Sequence, residues 1–198
     1  MSRQKGDIMR ELMISIQPKW VEKIVSGEKT VEVRKTKPKC EVPFKCYIYC
    51  TQGKLKDLGI IGNEIYQKLM KVIGEFVCDR VSEYECSSKG HGELATTCGT
   101  CLTYDEILNY CNGNDLYGWH ITDLVVYDEP RELSEFYTEG DCDCMNCKKC
   151  YWFDRGNGYN VENDCNLAYK CVELHKSFKP ILRPPQSWCY IEPRQTAD

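Results

Sequence analysis

The densest chemistry in the chain lies in Lys29, Thr30, Glu32 and Arg34, within Gly27-Glu28-Lys29-Thr30-Val31-Glu32-Val33-Arg34. An ammonium, a hydroxyl, a carboxylate and a planar guanidinium this close together offer donors and acceptors to a polar ligand, and the guanidinium can grip a phosphate or carbonyl with two parallel bonds. Val31 and Val33 alternate with Thr30, Glu32 and Arg34. That alternation predicts a strand with one buried face and the three functional groups on the other, outward face. The plainer alternative is a set of charges that only pair with one another on a solvated surface.

A helix must deliver this strand. Pro18 suits a first helical turn, where its missing N–H is not needed, and Gly27 tolerates the left-handed dihedrals that end a helix after Ser26. A helix over about 18–26 therefore sets Lys29 at the turn into the strand.

The order strand, Ser15-Ile16-Gln17-Pro18, helix, then Gly27-Glu28-Lys29-Thr30-Val31-Glu32-Val33-Arg34 resembles the ASCH domain, a relative of the PUA domains that bind RNA and modified nucleotides. Leu116-Tyr117-Gly118-Trp119-His120-Ile121 and Arg183-Pro184-Pro185-Gln186-Ser187-Trp188-Cys189-Tyr190 also resemble segments of bacterial and prophage ASCH proteins. The resemblance implies an α+β, PUA-like fold: a small closed or nearly closed β-barrel with flanking helices. It also implies a cleft for RNA or a nucleotide-type ligand around Lys29, Thr30, Glu32 and Arg34. Trp119, if it faces outward, could stack a base.

Hydrolysis is the rival reading. Some small ASCH relatives are amidohydrolases of acetylated cytidine, with the pattern Gly-x-Lys-Thr-hydrophobic-Thr-hydrophobic-Arg, in which the second threonine is the nucleophile and the lysine activates it. Here the lysine maps to Lys29, but Glu32 stands at the nucleophile position and a carboxylate does not replace a hydroxyl in that chemistry. Thr30 matches the first threonine, about 7 Å away along a strand. If the protein is an enzyme, a nucleoside amidohydrolase or a ribonuclease, Lys29 and Glu32 are its catalytic candidates, with Glu32 a general base. Binding is the favoured function.

The rest of the chain fits one domain over 8–193 and a loose tail over 194–198. Apolar residues make up 42% of the chain, an ordinary share for a soluble protein, and no run is long enough to span a membrane. The start lacks the apolar stretch of a signal peptide, so a cytoplasmic location is expected. With 26 basic against 30 acidic residues the formal charge is -4, which disfavours wrapping along a phosphate backbone and favours a small recognition site.

Strands are expected over Leu12 to Ile16, Phe44 to Cys50, Val72 to Val81 with a bulge at Gly74, and Trp188 to Glu192. One long strand over Leu116 to Tyr127, buried on both sides around Leu124, Val125 and Val126 and ended by Glu129-Pro130, is expected too. Helical spacing marks Asn63 to Lys71, and Thr103-Tyr104-Asp105-Glu106 reads as a capping box opening a helix to about Cys111.

Fifteen cysteines are the second concentration of chemistry, with Cys142, Cys144, Cys147 and Cys150 close together and Cys165 and Cys171 following. Four thiolates converging from tight turns supply the tetrahedral sulfur shell that zinc prefers. Cys147, Cys150, Cys165 and Cys171 are the preferred ligands, with Cys142 and Cys144 as alternates, so a structural Zn2+ within an insertion over 140–172 is expected. That insert could also serve as a protein-interaction surface. Cys98-Gly99-Thr100-Cys101 stands without an evident second pair and follows loop-like sequence, which argues against a thioredoxin-type site.

Overall fold

The computed structural model describes residues 9–53, 68–85, 87, 89, 92–94, 99–140 and 177–192. Ten strands and two principal helices follow in order: β1 (Glu11–Ile16), α1 (Pro18–Val25), β2 (Val31–Arg34), β3 (Phe44–Cys50), β4 (Lys71–Cys78), β5 (Val81–Tyr84), α2 (Tyr104–Cys111), β6 (Leu116–His120), β7 (Thr122–Arg131), β8 (Tyr137–Gly140), β9 (Ser177–Pro180) and β10 (Trp188–Ile191). A 3-10 turn over Leu133–Glu135 precedes β8.

A five-stranded sheet has the order β10-β1-β3-β4-β7, a three-stranded sheet the order β2-β6-β5, and β8 pairs with β9. β1 and β3 run parallel, from Glu11 opposite Lys45 to Ile16 opposite Cys50. A parallel pair needs a crossover, which α1 and β2 supply. In β1, Leu12, Ile14 and Ile16 join Val21 and Ile24 of α1, Phe44, Ile48 and Phe76 in a core capped by Trp119. The opposite face of the same sheet buries Met13, Tyr47, Tyr49 and Val72 against Leu133, Phe136 and Ile181. A third cluster seats Ile107 and Cys111 of α2 on Val33 and Leu116.

The closed barrel expected from the sequence does not form among the described residues. The expected strand over Leu116 to Tyr127 is two strands in two sheets, with Ile121 as the crossing point. There Ile121 N–H donates to Thr30 O at 2.8 Å and His120 N–H to Arg80 O at 3.0 Å. The expected strand over Val72 to Val81 breaks at the same corner, between β4 and β5. Both bonds extend the three-stranded sheet by one pair, Thr30 opposite Ile121 and Arg80 opposite His120, before the chain joins the five-stranded sheet at Thr122 opposite Val77.

β7 is also not buried on both sides: it lies at the edge of its sheet, Val125 is 50% exposed, and Pro130 falls inside the strand. An edge position tolerates a residue that cannot donate to a ladder.

The bulge at Gly74 forms as expected, with the register against β3 shifting between Ile48 and Tyr49. Any Cβ at Gly74 would overlap the Val125 carbonyl. Residues 68–70 form a turn, not the end of a helix, and Met70 takes a φ of 63° before β4 begins at Lys71. The rest of the helix expected from Asn63 lies outside the described residues, as do the six cysteines of the expected zinc site.

Candidate functional site

α1 follows the sequence reading closely. Pro18 opens it, Ser26 closes it by donating to Glu22 O, and Gly27 turns the chain at a φ of +80°. Lys29 N–H then donates back to Lys23 O at 2.8 Å, so the turn stays bound to the helix end. From there β2 pairs antiparallel with β6, Glu32 opposite Trp119.

β2 has no solvated face. Val33 packs toward α2, and the face that carries Glu32 and Arg34 is closed by the end of β1, the first turn of α1 and the segment 184–187. Lys29 is 2% exposed, Glu32 6% and Arg34 8%. The outward face expected from the alternation is therefore an interior polar row.

Within that row Glu32 sits between two cations. Its Oε2 lies 3.4 Å from Lys29 Nζ and its Oε1 2.9 Å from Arg34 Nη2. Lys29 Nζ also donates to Val31 O at 2.8 Å and to Thr100 O at 2.7 Å. Two of the three ammonium donors thus end on carbonyls, with the Glu32 carboxylate beside them as an ion pair. Arg34 Nη2 donates to Ser15 O at 2.7 Å, while Nη1 reaches Ser187 Oγ only at 3.5 Å. Arg34 Nε is buried and has no partner.

The row lines a cleft of about 790 Å3 whose other walls include Gln17, Trp20, Lys35 and Tyr110. That volume is in the range of small-ligand sites. One wall is the segment 184–187, tied down where Ser15 Oγ donates to Pro185 O at 2.6 Å and Ser15 N–H to Ser187 O at 2.9 Å. Trp188 Nε1 donates to Thr36 Oγ1 at 3.0 Å and closes the same corner. Burial raises the Tyr110 hydroxyl above the usual tyrosine range; the nearby Arg34 charge opposes this and Glu32 adds to it.

Two expected site residues are not on the cleft wall. Thr30 is turned aside: its N–H donates to Gly99 O at 2.8 Å and its hydroxyl crowds Gly99. Trp119 is fully buried, edge-on to Phe44 with ring centroids 5.3 Å apart. Its indole belongs to the core, so it cannot stack a base; its strand neighbour His120 faces outward, with Nδ1 2.7 Å from Asp79.

Trp20 and Tyr110 are the aromatic residues that do line the cleft. Trp20 lies in the same stretch as Ser15 and Pro18, so proximity alone could have nominated it. Tyr110 had no such signal, because only the docking of α2 brings it to β2.

The Cys98-x-x-Cys101 loop has a structural part here that spacing did not suggest. Gly99 O accepts from both Thr30 and Val31, and Thr100 O accepts from Lys29, so this loop holds the start of β2. Among the described residues, no three histidine, cysteine, aspartate or glutamate side chains gather to hold a metal. No helix among them is long and apolar enough to cross a membrane.

A family model described as the ASCH domain matches residues 14–93. Over that span the chain is similar to an ASCH domain. The match includes Ser15, Trp20, Lys29, Glu32 and Arg34, whereas Tyr110 and the 184–187 wall of the cleft come from outside it. Among solved structures, this chain is similar to an ASCH protein from Zymomonas mobilis at 18% identity and a TM-score of 0.49, over 92% of this chain and 87% of that one. Two variants of the Zymomonas mobilis protein give 16% identity and a TM-score of 0.47, over 92% and 90% of the two chains, and 17% identity and 0.43, over 92% and 88%. No curated protein matches the chain.

Proposed function

We propose that this protein binds RNA or a modified nucleotide, taking one nucleotide unit into the cleft beside Lys29, Glu32 and Arg34. The observation that carries this reading is the buried row of two cations around one carboxylate, set in the wall of a cleft large enough for such a ligand. A buried charge pair is costly to desolvate and is weak evidence of a stability role, so its position in a ligand-sized cleft favours recognition.

Each side chain then has a part. Arg34 anchors the ligand from the cleft wall, where its Nη1 reaches Ser187 Oγ only at 3.5 Å. Glu32 can accept from an exocyclic amino group on a base edge. Lys29, anchored on the Val31 and Thr100 carbonyls, fixes Glu32 in place. Trp20 and Tyr110 supply flat apolar walls on which a base can rest.

Hydrolysis of a nucleoside amide or of RNA is the second reading, and two observations weigh against it. Lys29 Nζ is held by the Val31 and Thr100 carbonyls and paired with Glu32, and Thr30 stands outside the cleft wall. For the insertion over 140–172 we retain structural zinc on Cys147, Cys150, Cys165 and Cys171, with Cys142 and Cys144 as alternates. Its support is their spacing, and a protein-binding use of that insert would rest on the same cysteines.

Calorimetric titration with short RNA oligomers and modified nucleosides tests the binding reading. Saturable binding that disappears in a folded Arg34→Ala variant is the expected result. Unchanged binding in that variant would place recognition elsewhere.

A further inference from the structure

The charges of the cleft do not balance, and the imbalance bears on the class of occupant. Lys29, Arg34 and Lys35 line the walls against the single carboxylate of Glu32, leaving two positive charges in excess in a chain of formal charge -4. Glu32 is shared between Arg34 at 2.9 Å and Lys29 at 3.4 Å, so the excess is spread over this trio and Lys35. The Lys35 ammonium lies 5.1 Å over the Tyr110 ring and meets no carboxylate among the described residues.

A second source of positive potential borders the same place. α1 begins at the cleft with Gln17 as its N-cap, yet Gln17 makes no side-chain cap bond and the first turn holds no acidic residue. Pro18 brings no N–H and Trp20 N–H is bonded to Gln17 O at 2.9 Å, so the first turn offers at most the Lys19 N–H, together with the partial positive charge of the helix end. Arg34 Nη2 bonds Ser15 O, two residues before that cap, which brings the guanidinium beside the turn. Arg34 is more than nine-tenths buried and its Nε has no partner, an observation independent of the helix end.

We infer that the cleft holds a phosphorylated nucleotide and not a neutral nucleoside, with the phosphate seated between the first turn of α1, Arg34 and Lys35. This rests on the nucleotide reading above and deepens it. A guanidinium, an ammonium and a helix N-terminus are three donors suited to a dianionic phosphate. The neutral carboxamides of Gln17 and Gln186, both on the cleft wall, place no opposing charge there.

Isothermal titration of the wild-type chain with the four common nucleosides and their 5′-monophosphates, at low and moderate salt, tests the seat. At least one monophosphate should bind about tenfold or more tightly than its nucleoside, with a preference that shrinks as salt rises. Lys35→Gln should reduce that preference several-fold. A nucleoside that binds as tightly as its monophosphate would remove the phosphate seat and leave the nucleotide reading standing. A full preference persisting in Lys35→Gln would overturn the seat as placed. No binding of nucleosides, monophosphates or RNA oligomers would overturn both readings.

Discussion

Lys29 Nζ lies 3.4 Å from Glu32 Oε2, although residues three apart on a straight strand point to opposite faces. The pair meets because Lys29 is not yet in β2; its N–H is still bound to Lys23 O at the end of α1. The ammonium thus enters the interior from the turn and fixes the carboxylate of the strand. A turn residue and a strand residue are joined into one buried charged unit with Arg34.

Removing either end of that unit should destabilise the fold. Lys29→Met leaves Val31 O and Thr100 O without their donor, and Glu32→Gln leaves two buried cations without their carboxylate. Breaking a buried pair from one side costs about 3 kcal/mol or more. Urea denaturation of each variant against wild type should show losses of that order. Near wild-type midpoints would mean that the row is solvated in solution.

The elements around the site were legible in the sequence, and the closure of the site was not. Pro18 and Gly27 bracket α1 through local backbone constraints, and Thr103 with Glu106 forms the capping box that opens α2. Alternation in β2 correctly separated Val33 from Glu32 and Arg34, but it cannot say whether the polar side meets water. That outcome depends on Ser15, at the end of β1, and on Pro185 and Ser187, 170 or more residues away in the chain. The long strand expected through Ile121 failed for a similar reason, since the chain there leaves β2 and β5 to pair with β4, partners that lie elsewhere in the sequence.

Gly99 offers a local test of how the loop before α2 supports the row. It holds a φ of +95°, and a Cβ there would overlap the Thr30 hydroxyl. Gly99→Ala should lower stability by about 1–2 kcal/mol through backbone strain alone. Because Thr100 O follows directly and accepts from Lys29, ligand affinity should fall as well. Thermal melting with a parallel titration separates the two losses, and a variant of wild-type stability would refute the tight approach of this loop.

Acid should expose the polar cluster on the far face of the large sheet. Burial tends to raise the Glu75 carboxyl, but hydrogen bonds from Tyr127 and Lys45 outweigh it and hold the group below the usual carboxylate range. A depressed carboxyl contributes stability above its unfolded pKa, about 4.3, and loses it as pH falls through the lower folded value. Glu75→Gln should therefore reduce stability at pH 7 and narrow the difference between pH 7 and pH 3. Denaturant midpoints at the two pH values check this, and an unchanged difference would assign the acid response to other groups.

Zinc can be tested without reference to the cleft. Cys147, Cys150, Cys165 and Cys171 lead us to expect about one zinc per chain in protein purified under reducing conditions. Chelation should increase proteolytic cleavage within 140–172 well before it affects the two larger sheets, because the metal would close only that loop. Metal-free protein by elemental analysis would remove the zinc proposal.

Acetylated cytidine should not be hydrolysed efficiently. A threonine amidohydrolase of the kind that resembles this chain needs a hydroxyl at the position of Glu32 and a lysine free to take its proton. Glu32 is instead held between Lys29 and Arg34, and Lys29 Nζ is bonded to Val31 O and Thr100 O. Thr30 cannot substitute, since its backbone is bound to Gly99 and its side chain is not on the cleft wall. Nucleophile and base must both lie within near-attack distance, so displacing one of them forfeits most of the rate. A chromatographic assay for cytidine release should thus show no turnover above background in wild type. Efficient release abolished by Thr30→Ala would establish that the loop at Gly99 opens to bring Thr30 into the cleft, and would move hydrolysis ahead of binding.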